Sequence, residues 1–342
     1  MFLIFLASII ILLGVFTVAA FLVWAERKVA ARIQDRLGPT RVGGRFGWLQ
    51  SVADGIKILT KEDIIPRDAD SALFRIAPYL ALAVGFSWFV VLPFSEHLVV
   101  ARVESAAVFL LALAGLEIYA VLLGGYASGS KWSLIGAMRE AVQVVSYEVP
   151  LALCAVIPVL LSGSMDLVTI ANAQSGGFWH WFVFNSPFAF LGFWVFMVCT
   201  TAGLNRAPFD LPEAESELVS GYMTEYSGFR WAVFMLTEYV IMFAVSALGA
   251  ILFLGGWHGP LPITAWLGLD RLAYPWAFWI QNLAGIINLL VKAMLCTLGI
   301  IWARWTLPRL RIDQVMTMCL KYCLPLAIVA FFGSLLWKLG SM

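Results

Sequence analysis

The stretch WAVFMLTEYVIMFAVSALGAILFLG, residues 231–255, is 25 residues long and carries a single formal charge, Glu238. A run of about 20 apolar residues rising 1.5 Å per residue crosses a bilayer core, and only a helix satisfies its own backbone there. A carboxylate within such a run is costly unless it faces a partner charge, water or the protein interior. Working outward, the same pattern recurs near 2–25, 72–94, 104–127, 140–161, 186–204, 278–302 and 315–337. The expected fold is an all-α polytopic membrane protein, a single membrane domain over 1–342 built from about eight transmembrane helices. With 62% hydrophobic and 13% charged residues, the composition excludes a soluble globule.

Charge in the connections orients these spans. Alternate connections (26–71, 128–139, 205–230 and 303–313, with Arg75 just inside the second span) hold 17 of the 22 Lys and Arg residues. Positive charge is retained on the cytoplasmic side, so both termini are expected on the outer face. The first run has no basic residue before it and is followed by Arg27, Lys28 and Arg32. That order is the reverse of a signal peptide, and the run reads as a retained first span.

Within the long first connection, Trp48, Leu49, Val52, Ile56 and Leu59 recur at helical spacing, with Gln50, Asp54, Lys57 and Lys61 facing the other way. Too short to span, this segment near 46–60 reads as an amphipathic helix in the membrane interface. The five cysteines lie in apolar runs without a CxxC pair, and His97, His180 and His258 fall in short connections. No haem, iron–sulfur cluster or other metal is expected in this chain.

Immediately before the opening stretch, NRAPFDLPEAESELVSGYMTEY (205–226) gathers Asp210, Glu213, Glu215, Glu217 and Glu225, five of the 21 acids, against one base, Arg206. Glu117, Glu148 and Glu238 lie inside spans, roughly 10–15 Å from the cytoplasmic ends by helical rise. Glu140, Gln143 and Tyr147 fall on roughly the same side as Glu148, and Gln281, Asn288 and Lys292 share a second helix face. Such stripes either line a hydrated path or hold helices together by hydrogen bonds. Desolvated carboxylates in a line titrate as a coupled set, which suits proton transfer.

Seven segments taken in order resemble the quinone-site membrane subunit of respiratory complex I, known as subunit 1 in mitochondria and as the H subunit in bacteria. They are AERKVAARIQDRLGPTRVG (25–43), LQSVADGIKILTKEDIIP (49–66), YASGSKWSLIGAMRE (126–140), VSYEVP (145–150), NRAPFDLPEAESELVSGYMTEYSG (205–228), TEY (237–239) and WARWTLPRLRIDQ (302–314). The resemblance implies a subunit of a proton-translocating NADH:quinone oxidoreductase in the bacterial inner membrane. Quinone would be the substrate, entering from lipid between the first span, the interfacial helix and the sixth span. Arg27, Arg36, Asp54, Lys57 and Arg304 would lie at or near its tunnel.

FMN and iron–sulfur clusters would belong to partners. Those partners are the peripheral-arm quinone-site and terminal-cluster subunits, small membrane subunits and antiporter-like subunits; nucleic acid has no place among them. Asp210, Glu213, Glu215 and Glu217 with Glu148 and Glu238 would form a carboxylate route from the quinone cavity into the membrane. Glu117 joins that set on burial grounds alone. Ser51 and Trp48 depart from the family's usual proline and leucine.

The membrane anchor of an energy-converting hydrogenase would share the bundle without needing quinone, and an independent ion transporter would need no partners. The acidic segment and the charged interfacial helix favour the quinone enzyme.

Overall fold

The structure, a computed structural model, describes residues 2–212, 215–261 and 275–341. Among these residues it is helical, without strands. In chain order the helices are α1 (Phe2–Ile33), α2 (Gln50–Leu59), α3 (Ser71–Val91), α4 (Ala106–Ala127), α5 (Lys131–Ser162), α6 (Leu167–Asn172), α7 (Phe182–Asn185), α8 (Pro187–Gly203), α9 (Glu215–Leu218), α10 (Gly228–Phe253), α11 (Pro275–Thr306), α12 (Ile312–Thr317) and α13 (Leu324–Ser341). A π-helical turn, Met318–Cys323, joins α12 to α13.

Each expected span has a helix over it. Among the described residues, six helices are long and apolar enough to cross a membrane: α3, α4, α5, α10, α11 over Phe278–Thr306, and the run Ile312–Gly340. The fifth expected span is the shorter apolar helix α8. Local chemistry sets several starts. The Asp70 carboxylate accepts from the Ala72 and Leu73 amides at 3.0 and 3.3 Å, capping α3. Ser186 caps α8, with Pro187 in the first turn where its missing N–H costs nothing.

Two helices run further than their apolar windows. α1 continues through the charged ERK segment to Ile33, with Ala30 and Ala31 fully packed. α5 begins at Lys131 and carries Glu140 well inside a helix. Charged residues do not break helices; only the hydrophobic window ends at them.

α10 is the hub. Every residue from Tyr239 to Phe253 is buried, and the helix packs on α1, α3, α8 and α11. Gly85 permits the α3 approach, since a Cβ there would stand 3.2 Å from Thr237 Cγ2. Lys292 of α11 donates to the carbonyls of Leu254, Gly256 and His258 at 2.6, 2.9 and 2.5 Å, and its ammonium lies 4.1 Å from the Trp181 ring centre. Of the two readings of the Lys292 stripe, this geometry favours helix fastening: the lysine satisfies carbonyls left open where α10 ends.

α2 begins at Gln50, four residues later than expected, because the preceding turn uses Gly43, Gly44 and Gly47 at positive φ. Its apolar face is bare: Val52, Ile56 and Leu59 are exposed, as are Trp48 and Leu49 before it. Besides the Arg27–Asp54 ion pair, three contacts pin the segment to α1. Trp48 stacks on Trp24 with ring centres 4.3 Å apart, the Trp24 indole donates to Phe46 O at 3.0 Å, and Ser51 Oγ donates to Ala20 O at 2.8 Å.

Candidate functional site

The charged residues converge where α1, α10 and α11 meet the connection after α8. Glu26 is 4% exposed although it sits beside the basic residues that close α1. Its Oε1 accepts from Arg304 Nη1 at 2.5 Å, and its Oε2 accepts from the Tyr239 hydroxyl at 2.7 Å. Arg206, also buried, places Nη1 3.6 Å from Glu26 Oε2 and Nη2 3.2 Å from Glu238 Oε2. Its guanidinium lies 4.4 Å from the Tyr239 ring centre, a cation–π contact. The Tyr222 hydroxyl completes the group by donating to Glu238 Oε1 at 3.1 Å. Glu238 therefore has the partner charge that its place in an apolar run requires.

Next to this group, Arg309 Nη2 donates to Asp210 Oδ2 at 2.6 Å. Burial pushes the Asp210 carboxyl above the usual aspartate range, and Arg309 offsets only part of that rise. A second branch runs through α5: Asn205 Nδ2 donates to Glu140 Oε1 at 2.7 Å, and Gln143 Nε2 donates to Asn205 Oδ1 at 3.1 Å and to Ala202 O at 2.6 Å. Glu117 lies beside a cavity of about 30 Å³ that Tyr147, Thr200 and Gly203 also line.

The acidic connection is held close by glycines. A Cβ on Gly136 of α5 would meet Gly221 Cα at 2.9 Å, and Gly221 itself has φ +54°. Tyr226 stacks on Phe74 with 4.0 Å between ring centres and donates to Phe74 O at 3.2 Å. Glu217 is exposed, and its Oε2 accepts from Arg139 Nη1 of α5 at 2.5 Å.

Arg27 and Asp54 are joined by an ion pair that ties α2 to α1. Arg36 is exposed and donates to Gln34 Oε1 at 2.8 Å, and Lys57 is exposed on α2. Neither joins the buried group. Glu213 lies outside the described residues, as does the side chain of Glu215.

Glu148 corrects one expectation. Glu140, Gln143 and Tyr147 point inward and are buried, but Glu148 is exposed on the outer surface of the chain. Each helical residue turns by about 100°, and that step carries the chain from the buried Tyr147 to the exposed Glu148, although both border one groove. Glu148 borders an open groove of about 190 Å³ between α4 and α5, with Gly115 and Val144.

Sequence reasoning missed Glu26, Tyr239 and Arg309 as members of the site and gave Arg206 no partners. Glu26 was hidden because it sits among bases at the edge of an apolar window. A helical projection continued to Ile33 would have shown it on the packed side, one turn before Ala30.

Fold and site together define an integral helical membrane protein whose acids and arginines form a buried network next to the amphipathic helix α2. The family model for NADH dehydrogenase matches residues 6–334. The chain belongs to the family of the H subunits of NADH-quinone oxidoreductase, and is thus a membrane subunit of that multisubunit oxidoreductase. It is 43% identical over 339 residues to the NADH-quinone oxidoreductase H subunit of Anaeromyxobacter dehalogenans, covering 98% of this chain and 81% of the relative. The relative of the same name from Chlorobium luteolum is 44% identical over 322 residues, covering 93% and 84%. That of Geobacillus kaustophilus is 47% identical over 305 residues, covering 89% and 85%. Among the described residues no group of three or more His, Cys, Asp or Glu side chains is placed to hold a metal ion.

Proposed function

We propose that this subunit forms one wall of the quinone tunnel of its complex and passes the charge change of quinone reduction into the membrane through carboxylates. The observation that carries this reading is the unbroken contact from Arg304 through Glu26 and Arg206 to Glu238. In this account the bare face of α2 and the Trp24–Trp48 stack border an apolar slot for the isoprenoid tail. Arg27, Arg36, Asp54, Lys57 and Arg304 lie along the passage to the head group. Electrons reach the head group from iron–sulfur clusters of a peripheral-arm partner, with FMN further upstream in another.

Reduction of the head group adds two electrons and draws two protons, which alters the field at Glu26. Negative charge developing on the head group competes with Glu26 for Arg304, and the protons the head group takes up are drawn from the network and replaced through it, so the balance of Arg206 between Glu26 and Glu238 shifts. Asp210, Glu213, Glu215 and Glu217 respond as a coupled set, and Glu117 and Glu148 carry the change outward to small membrane and antiporter-like subunits. The chain then works as one membrane domain in the bacterial inner membrane, both termini on the outer face.

The test replaces Arg27 or Asp54 by alanine in the assembled complex. Quinone reduction should fall about tenfold or more, while NADH oxidation by an artificial acceptor, which bypasses this chain, stays at the wild-type level in complex purified with its membrane subunits. Unchanged quinone reduction in both variants would reject the tunnel assignment.

A further inference from the structure

Glu140 is buried in the middle of α5, and only half of its carboxylate is accounted for. Oε1 accepts from Asn205 Nδ2 at 2.7 Å, whereas Oε2 has no hydrogen-bond partner although it is shut away from solvent. A buried carboxylate with a free oxygen is a costly choice for packing alone, because the isosteric glutamine could accept the same Asn205 bond uncharged. The surroundings suggest why it is kept. Gln143 Oε1, one turn along, is likewise buried without a partner, and so is Thr200 Oγ1 on α8. Tyr147, two helical turns along α5 from Glu140, is buried on the same side of the helix.

Thr200, Tyr147 and Glu117 share the cavity of about 30 Å³, which is large enough for one water. A water there could be held by the Thr200 hydroxyl, the Tyr147 hydroxyl and Glu117. On the other side, Asn205 opens the acidic connection, one residue before Arg206. Glu140 thus sits between the acidic connection, through Asn205, and the inward face of α5 that carries Gln143 and Tyr147.

We propose that Glu140 is a proton-carrying residue that links the Arg206–Glu238 network to Glu117 and the Tyr147 face of α5. It accepts a proton on the free Oε2 while Oε1 stays on Asn205, and passes it by way of Tyr147 or a cavity water toward Glu117, regaining its charge as the proton leaves. This rests on the carboxylate route proposed above and adds a member to it.

The test is Glu140→Gln in the assembled complex, with Glu148→Gln made in parallel and assembly scored by NADH oxidation with an artificial acceptor. Glutamine keeps the acceptor for Asn205 and removes only the titratable group, so a packing role predicts wild-type coupling. Proton transfer predicts that coupled quinone reduction and proton uptake fall by about tenfold or more, and that Glu140→Asp restores part of the loss. Normal pumping in Glu140→Gln alone would overturn the role of Glu140 and leave the route standing. Normal pumping in both variants would overturn the route itself. If Glu140→Gln does not assemble, the Glu140→Asp complex decides: a redox-induced infrared difference spectrum with a shifted carboxylic C=O band supports the proposal, and one identical to wild type overturns it.

Discussion

The Arg206 guanidinium stands between two buried carboxylates, 3.6 Å from Glu26 and 3.2 Å from Glu238, with the Tyr239 ring 4.4 Å away. One cation shared by two acids holds α1, α10 and the acidic connection together, and the Glu26 side also bonds to Arg304.

Removing that cation leaves Glu26 and Glu238 without their common partner. Breaking a buried pair from one side costs roughly 3–5 kcal/mol. Arg206→Met should therefore lower the thermal stability of the assembled complex, measured as loss of activity after heating. Adding Glu238→Gln should recover part of the loss, and additive destabilisation by the two changes would contradict the pairing.

The interfacial helix offers a gentler test. Ser51→Ala deletes the bond to Ala20 O and Trp24→Ala deletes the stack with Trp48. Each should loosen the edge of the slot, at about 1 kcal/mol for the hydrogen bond. Steady-state kinetics should show KM rising several-fold for a long-tailed quinone and less for a short one. An equal effect on both quinones would place α2 away from the tail.

Asp210 gives a pH dependence whose sign is fixed by its environment. Burial holds its carboxyl above the ordinary aspartate value despite Arg309. The stabilisation from the neutral form is complete below the unfolded value of about 3.9 and is lost as pH rises through the raised folded value. Asp210→Asn should flatten that limb of a stability-versus-pH curve, with little loss of stability at neutral pH and reduced coupled turnover. A steeper limb in the variant would contradict the assignment.

The connection between α5 and α6 responds in the opposite direction. At Asp166, burial works against ionisation, but bonds from Arg102 at 2.6 and 3.0 Å, the Val168 amide and the Thr169 hydroxyl outweigh it and lower the pKa. That stabilisation is present above about pH 3.9 and disappears as pH falls through the depressed value. Asp166→Asn retains a good helix cap, so wild type should melt higher than the variant at neutral pH and converge with it in acid.

The helices were legible because a span leaves a long apolar window, and the window over 231–255 found the hub directly. The helix ends were not. α1 and α5 extend past their windows through Glu26–Ile33 and Lys131–Arg139, since helix formation there is decided by packing and backbone bonding. The acids of the site could be picked out one by one, whereas their partners could not. Arg206 and Arg304 are far in sequence from Glu26, as Arg309 is from Asp210, and only the bundle brings each pair together. Glu148 shows the same limit in reverse: a one-residue step beyond Tyr147 sends it to the surface facing away from the network.

The most direct test of the account is the number of protons pumped per quinone reduced by the assembled complex in proteoliposomes, compared between wild type and Glu238→Gln. The Arg206–Glu238 contact as the inlet of the coupling route predicts that this variant assembles, oxidises NADH with an artificial acceptor, and shows a marked loss of both quinone reduction and pumping. Wild-type rate and stoichiometry in that variant would contradict it.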